Sequence, residues 1–231
     1  MKSGLDLKRV ACEANRELPR RGLACYTFGN VSVIDRDKGL FAIKPSGMEY
    51  DAMKPGDMVL VDLDGNVKDG HLRPSSDTKT HAVLYRNFQK IGSIVHTHST
   101  YATAWAQALR SIPVLGTTHA DHLAKDVPCT EIMSEKAIQG DYEEETGNQI
   151  VDCFRNLSYE KIEMVLVACH GPFTWGGTPE KAVYNSVMLE ALAKMAYLTY
   201  GINPKTPRLK KSMVEKHYLR KHGKNSYYGQ R

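Results

Sequence analysis

A chain of 231 residues with a formal charge of +5, 42% apolar and 25% charged side chains has ordinary globular composition. That excludes a disordered chain, a collagen-like repeat and a coiled coil, and it suffices for one well-filled domain over residues 1–231. No apolar run reaches the ~18–20 residues that cross a bilayer, and residues 1–9 lack the apolar stretch of a signal segment, so the expected location is cytoplasmic.

Leu7, Val10, Ala11, Ala14 and Leu18 recur at helical spacing within residues 5–18, and Pro19 is expected to close that helix. Residues 31–34 and 40–43 flank a turn at 35–39 and predict a β-hairpin. A strand over 58–63 is ended by Asp64-Gly65-Asn66. Residues 80–88 predict a helix, 91–96 a strand, 102–109 an Ala-rich helix and 150–157 another helix. Residues 164–169 are a continuous apolar strand, 179–200 the longest helix and 207–221 an amphipathic helix. Strands and helices mix without regular β-α-β-α alternation. The expected class is therefore α/β, with a mixed or mainly antiparallel sheet and helices packed on it. No G-x-G-x-x-G or Walker loop supports a dinucleotide or nucleoside-triphosphate fold.

The five cysteines, Cys12, Cys25, Cys129, Cys153 and Cys169, are odd in number and show no C-x-x-C pair. Neither a disulfide framework nor a thiolate zinc site is indicated. Residues 205–231 carry nine basic side chains against Glu215 alone. Most of them read as a solvated helical face. No nucleic-acid motif accompanies them, and a few can serve a small phosphorylated ligand.

Histidines at strand ends carry the chemistry. Ile94-Val95-His96-Thr97-His98 runs an apolar strand into two imidazoles two residues apart, a spacing that puts both on one face of a strand. A second apolar strand, Val165 to Cys169, leads into His170-Gly171-Pro172. Three imidazoles make an open site for a divalent metal, Zn²⁺ best by ligand type and Mn, Fe, Co or Ni also by softness. Asp77, before the helix at 80–88, is either a helix-start residue or a carboxylate beside that metal, as ligand or base. Gly29-Asn30-Val31-Ser32, Lys44-Pro45-Ser46-Gly47 and Pro74-Ser75-Ser76-Asp77 are loops of small donors. Each alone is turn chemistry; together they suit a phosphate. Asp121, in Gly116-Thr117-Thr118-His119-Ala120-Asp121-His122, is an acid–base candidate, and His119 or His122 either orients it or is only a surface residue. The acidic run Glu143-Glu144-Glu145 suits a helix start, and the paired Tyr227-Tyr228 implies that the tail docks on something.

Taken in order, GNVS, KPSG, PSSDT, HTH, GTTHAD, HGPF and HYLRKHG…YYGQ resemble the L-ribulose-5-phosphate 4-epimerases, a branch of the class II (metal-dependent) aldolase/adducin-like superfamily. The resemblance spans about residues 5–230. It implies an α/β single-domain sandwich with a central, mainly antiparallel sheet flanked by helices, assembled as a ring-shaped homotetramer with active sites between subunits and one Zn²⁺ per subunit. It matches His96, His98 and His170 to the metal ligands and Asp77 to the carboxylate beside them. Asn30, Lys44, Ser46, Gly47, Ser75 and Ser76 match the phosphate positions, with Thr117 nearby. Asp121 and Tyr228 match the acid–base pair, and Glu143, His217 and Arg220 match supporting residues. Phe28 stands where the family pattern has Trp, and Lys79 where it has Pro. The implied reaction interconverts L-ribulose 5-phosphate and D-xylulose 5-phosphate by cleaving and re-forming C3–C4, a step used in L-arabinose and L-ascorbate breakdown. Nucleic acid and membrane are not implied partners.

Overall fold

The structure is a computed structural model that describes residues 4–224, 226 and 227. Seven strands form one sheet: β1 (Asn30–Asp35), β2 (Leu40–Ile43), β3 (Val59–Asp62), β4 (Val67–Asp69), β5 (Ser93–His96), β6 (Met164–Val167) and β7 (Gly171–Gly176). Their order is β4-β3-β2-β1-β5-β7-β6, and every adjacent pair is antiparallel. The helices are α1 (Gly4–Arg20), α2 (Thr78–Asn87), α3 (Thr100–Gln107), α4 (Thr117–Ala120), α5 (Glu135–Ile138), α6 (Tyr142–Cys153), α7 (Pro179–Ile202) and α8 (Lys211–His222). This is the expected α/β class. No described helix is long and apolar enough to cross a membrane.

Side chains alternate across a strand, and here both faces are covered. Val31, Val33, Ala42, Leu60 and Val95 face α1, packing with Leu7, Ala11, Ala14 and Leu18. Ile34, Phe41, Ile43, Val59, Val61 and Ile94 face the opposite way, into a larger core that includes Leu84, Trp105, Ile150 and Leu189. Burial on both sides explains the near-continuous apolar runs in these strands.

Two polar side chains set the helices against β1. Asn15, fully buried in α1, donates to Ala11 O and Val31 O and accepts from Val31 N, acting as an extra peptide group between helix and strand. Arg36, just past β1, donates to Tyr85 O, Phe88 O and Ile91 O, satisfying carbonyls at the end of α2. β1 is thereby fixed to helices on both faces.

Several boundaries differ from expectation. α1 runs through Pro19 and stops in a Schellman turn, with Leu23 N on Leu18 O and Gly22 at φ +69. The helix placed at 150–157 is α6, which starts eight residues earlier, in acidic and polar sequence, and ends at Cys153: Asp141 caps Glu144 N, and Glu143, Glu144 and Glu145 fill the first turn, where the helix dipole favours them. β4 has three exposed residues and so no apolar signature. β7 opens with Gly171-Pro172, which masks a strand. Residues 207–210 are extended, with Leu209 N on Val114 O, so α8 starts at Lys211.

Candidate metal centre and anion cradle

The sheet register gathers the site. Asn30, at the start of β1, lies opposite His96 at the end of β5, and His96 lies opposite Phe173 near the start of β7. β2 ends opposite Ser32, which delivers Lys44 to the same end. Gly29 is at φ +86, and a Cβ there would lie 2.9 Å from His96 O, so the approach of these strand ends requires glycine.

The three histidines converge as expected, by a different route. β5 ends at His96, and His98 is in the turn leading to α3, so their meeting is not a same-face strand pair. His170 is not a strand terminus; it sits in the tight β6–β7 turn after Cys169, which takes φ +62. The ring centroids are 4.7–5.1 Å apart, and one ligand atom from each lies within 4.8 Å of the others. His96 Nδ1 is 3.0 Å from Pro172 O. A carbonyl only accepts, so Nδ1 carries the proton and Nε2 offers its lone pair. That Nε2 is 3.1 Å from His98 Nε2. A cation ~2.0–2.1 Å from both would see them at roughly 100°, close to the angle of a zinc site. His170 Nδ1 is buried without a hydrogen-bond partner. Burial lowers all three pKa values, that of His170 to about 4, keeping the rings in the neutral form that binds metal. Three neutral imidazoles and a buried orphan nitrogen fit a divalent cation.

The same rings open into a cavity of about 310 Å³ whose wall includes Asn30, Lys44, Ser46, Gly47, Ser75, Ser76 and Asp77. Ser46 N on Arg73 O and Ser75 N on Lys44 O tie two of the loops together. Lys44 is 2% exposed; Nζ donates to Thr27 O at 3.1 Å and sits 4.9 Å from the centre of the Tyr50 ring. Burial pushes its pKa down to about 8. Asp77 occupies the N-cap position of α2 yet makes no capping bond with its side chain. Asn30 Nδ2 instead donates to its Oδ2 at 2.6 Å. Burial favours the protonated acid, but His96, His81 and the Asn30 amide together hold Asp77 below the usual carboxylate range.

A second group forms elsewhere. Asp121 closes α4, where Arg220 of α8 reaches both its oxygens (2.9 and 2.6 Å) and His217 Nδ1 is 3.0 Å away. Burial raises the Asp121 carboxyl, and Arg220 and His217 bring it below its ordinary range. Thr117 starts α4 and Glu143 lies in the first turn of α6. None of Thr117, Asp121, Glu143, His217 and Arg220 is in the wall of the histidine cavity. Tyr228 lies outside the described residues.

Three neighbours of the centre were not foreseen. Phe28 stacks on His98 with centroids 5.8 Å apart, placing the departure from the family pattern against a metal-ligand candidate. Tyr142 lies 6.2 Å from the His170 ring, one residue before the carboxylate run that drew attention. His81, fully buried, sits 6.1 Å from Phe173. Its position four residues after Asp77 on a helix was the available signal.

This architecture recurs among solved structures. An L-fuculose 1-phosphate aldolase is 28% identical, with a TM-score of 0.78 over 94% of this chain and 96% of its own. An L-fuculose 1-phosphate aldolase from Glaciozyma antarctica PI12 is 19% identical, with a TM-score of 0.75 over 93% of this chain and 80% of its own. YgbL from Klebsiella pneumoniae, described as a candidate aldolase/epimerase/decarboxylase, is 22% identical, with a TM-score of 0.71 over 94% and 99%. At these lower identities the likeness concerns the fold. The family model for the class II aldolase and adducin N-terminal domain matches residues 9–197, most of the chain, and the protein belongs to that family.

Proposed function

We propose that this protein is a metal-dependent epimerase that interconverts L-ribulose 5-phosphate and D-xylulose 5-phosphate. The observation that carries the reading is the opening of the three-imidazole cluster into the cavity of Lys44 and the Ser/Gly loops. One end of a sugar phosphate can thus be held by a cation while its phosphate is held a few ångströms away.

The C4–H of this ketopentose is not adjacent to the C2 carbonyl and is not acidic. Removing and returning a proton cannot invert C4; breaking C3–C4, turning the aldehyde fragment and re-forming the bond can. A bound divalent cation, Zn²⁺ by ligand type, would be held by His96, His98 and His170 beside Asp77 and would stabilise negative charge on substrate oxygens. Lys44, Ser46, Gly47, Ser75 and Ser76 hold the phosphate, with Asn30 near the junction of the two halves. Holding both fragments keeps their effective concentration high and favours re-addition over release. With Thr117 near the phosphate and Glu143 a supporting residue, Asp121 and Tyr228 are the acid–base pair, one for each aldehyde face, Asp121 being oriented by His217 and Arg220. In this reading they reach the cavity from a neighbouring subunit of a homotetramer, which accords with Asp121 standing outside the cavity wall of its own chain.

Similarity to L-fuculose 1-phosphate aldolases supports a second reading, a true aldolase of the same family. Purified protein incubated with L-ribulose 5-phosphate, with and without chelator, separates the two. The epimerase yields D-xylulose 5-phosphate in a chelator-sensitive manner. Free dihydroxyacetone and glycolaldehyde phosphate as the main products would favour an aldolase, and inertness would overturn both.

A further inference from the structure

A buried polar spine leads into the metal centre. Asp77, His81 and Tyr85 occupy positions i, i+4 and i+8 at the start of and along α2, and so share one face. Asn30 and Ser32, two apart on β1, share the face of that strand toward them. The stripes pair as rungs: Asn30 with Asp77 at 2.6 Å, Ser32 Oγ with His81 Nδ1 at 2.7 Å, and Ser32 Oγ with Tyr85 OH at 2.8 Å. Asn30, Ser32, His81 and Tyr85 are all at most 2% exposed.

Hydrogen-bond accounting gives the spine a direction. Among the described residues Ser32 Oγ is the side-chain acceptor set against the buried Tyr85 hydroxyl, at 2.8 Å, so Tyr85 is assigned as the donor to Ser32. Ser32 then has its own proton for His81 Nδ1, which accepts. The proton of the neutral His81 ring therefore sits on Nε2. That Nε2–H is buried and has no partner among the described residues, and neither has Asn30 Oδ1 on the neighbouring rung. A donor in this condition costs ~1–3 kcal/mol. The charges that act on the His81 ring are those of Asp77 and His96.

Resting on the metal-centre reading above, we propose that His81 is a positioning residue whose Nε2–H, aimed by Tyr85 and Ser32, donates a hydrogen bond to the Asp77 carboxylate once a cation is held by His96, His98 and His170. Asp77 is then fixed from two sides, by Asn30 on β1 and by His81 on α2, and its lone pairs stay directed at the centre. The bond is made between side chains only; no proton changes owner.

Two substitutions separate this role from packing. In His81→Gln the side-chain amide nitrogen falls where Nε2 stands and restores a donor. In His81→Asn the amide falls where Nδ1 stands, keeping the Ser32 rung but offering Asp77 nothing. Zinc affinity is measured by competition with a chromophoric chelator, alongside thermal melts of the zinc-free proteins. His81→Asn should bind zinc about 10–100-fold more weakly, whereas His81→Gln should retain most of the affinity. Equal affinities in the two variants would overturn the proposal, as would loss in both without recovery by Gln. On wild-type protein, two-bond ¹H–¹⁵N spectra read the tautomer directly: Nε2 should be protonated, with its proton moving downfield when zinc is added. A proton on Nδ1, or an Nε2–H indifferent to zinc, would overturn it even where a variant fails to fold. Wild-type protein that binds no zinc at all sinks the metal-centre reading itself, an outcome distinct from zinc binding insensitive to His81.

Discussion

Replacing Lys44 by Met should make the protein more stable and less able to hold a phosphate. Lys44 is 2% exposed, and among the described residues its Nζ has the carbonyl of Thr27 as partner and no carboxylate paired to it. Burial brings its pKa from 10.5 to about 8, which corresponds to roughly 3 kcal/mol against the charged form at neutral pH. The sign follows from proton binding. Between about pH 8 and 10.5 the unfolded chain keeps a proton that the folded chain has lost, so stability rises with pH through that window. The penalty is complete below pH 8 and absent above 10.5. Met keeps a stem of similar length and removes the buried charge along with its contact to the Tyr50 ring, so Lys44→Met should raise the melting temperature at pH 7 by roughly 5–10 °C for a chain of this length. That advantage should shrink toward pH 10.5. Inorganic phosphate or a sugar phosphate should bind the variant at least tenfold more weakly, since a charge-assisted hydrogen bond contributes ~1.5–3 kcal/mol. Differential scanning fluorimetry across pH and calorimetric titration with phosphate provide the two readings. A variant that melts lower at pH 7, or one that binds phosphate like wild type, would refute the idea that the lysine is kept buried for an anion.

His96→Asn should abolish tight zinc binding and epimerase turnover together, because it removes the ring whose Nε2 lone pair is fixed by Pro172; unchanged stoichiometric zinc by metal analysis would remove His96 from the centre. Gly29→Ala should fold less stably by ~1–3 kcal/mol and lower metal affinity, since the new Cβ meets His96 O at 2.9 Å in a left-handed backbone; a melt and a zinc titration indistinguishable from wild type would count against this constraint. Asp121→Asn and His98→Asn parents, each inactive, should regain part of the activity when unfolded together and reassembled, if the acid–base group and the metal come from different chains. No recovery in mixed oligomers verified by mass spectrometry would place both groups in one chain.

Much of the centre was legible because its parts are local. His96 and His170 follow apolar runs that can only be strands, and Ser/Gly/Lys loops announce anion chemistry wherever they fall. What could not be read was how they meet. The pairing of Asn30 with His96 and of His96 with Phe173 is long-range register, and β7 was hidden behind Gly171-Pro172. His98 joins its partners through a bend after β5, a feature that strand periodicity does not encode. Asp77 was ambiguous for a similar reason: helix-start residues usually cap, and only the neighbouring Asn30 amide, 47 positions away, diverts its carboxylate into the cavity. His81 and Tyr85 looked like ordinary members of an amphipathic helix until Ser32 was placed opposite them.

The division of labour among these elements bears on the proposed reaction, in which one site would cut a carbon–carbon bond and restore it with the opposite hand. His96, Asn30 and Lys44 stand at or just past the ends of the adjacent antiparallel strands β5, β1 and β2, held on both faces by packed helices, so the sheet sets the distance between the metal-ligand candidates and the anion cradle. Such a frame suits two tethered fragments whose ends must stay put while the carbonyl between them turns. Asp121, in contrast, is carried on the four-residue helix α4 and locked by Arg220 and His217 of α8, a unit apart from that frame. Grouping acid–base residues on a separate unit lets them address the turning carbonyl from outside without sharing the tethering role. A family with one scaffold can then change its reaction by altering α4, α8 and the tail while leaving the strand-end centre alone, and the sequence features that distinguish this chain within its resemblance, GTTHAD and the HYLRKHG tail, fall on those parts.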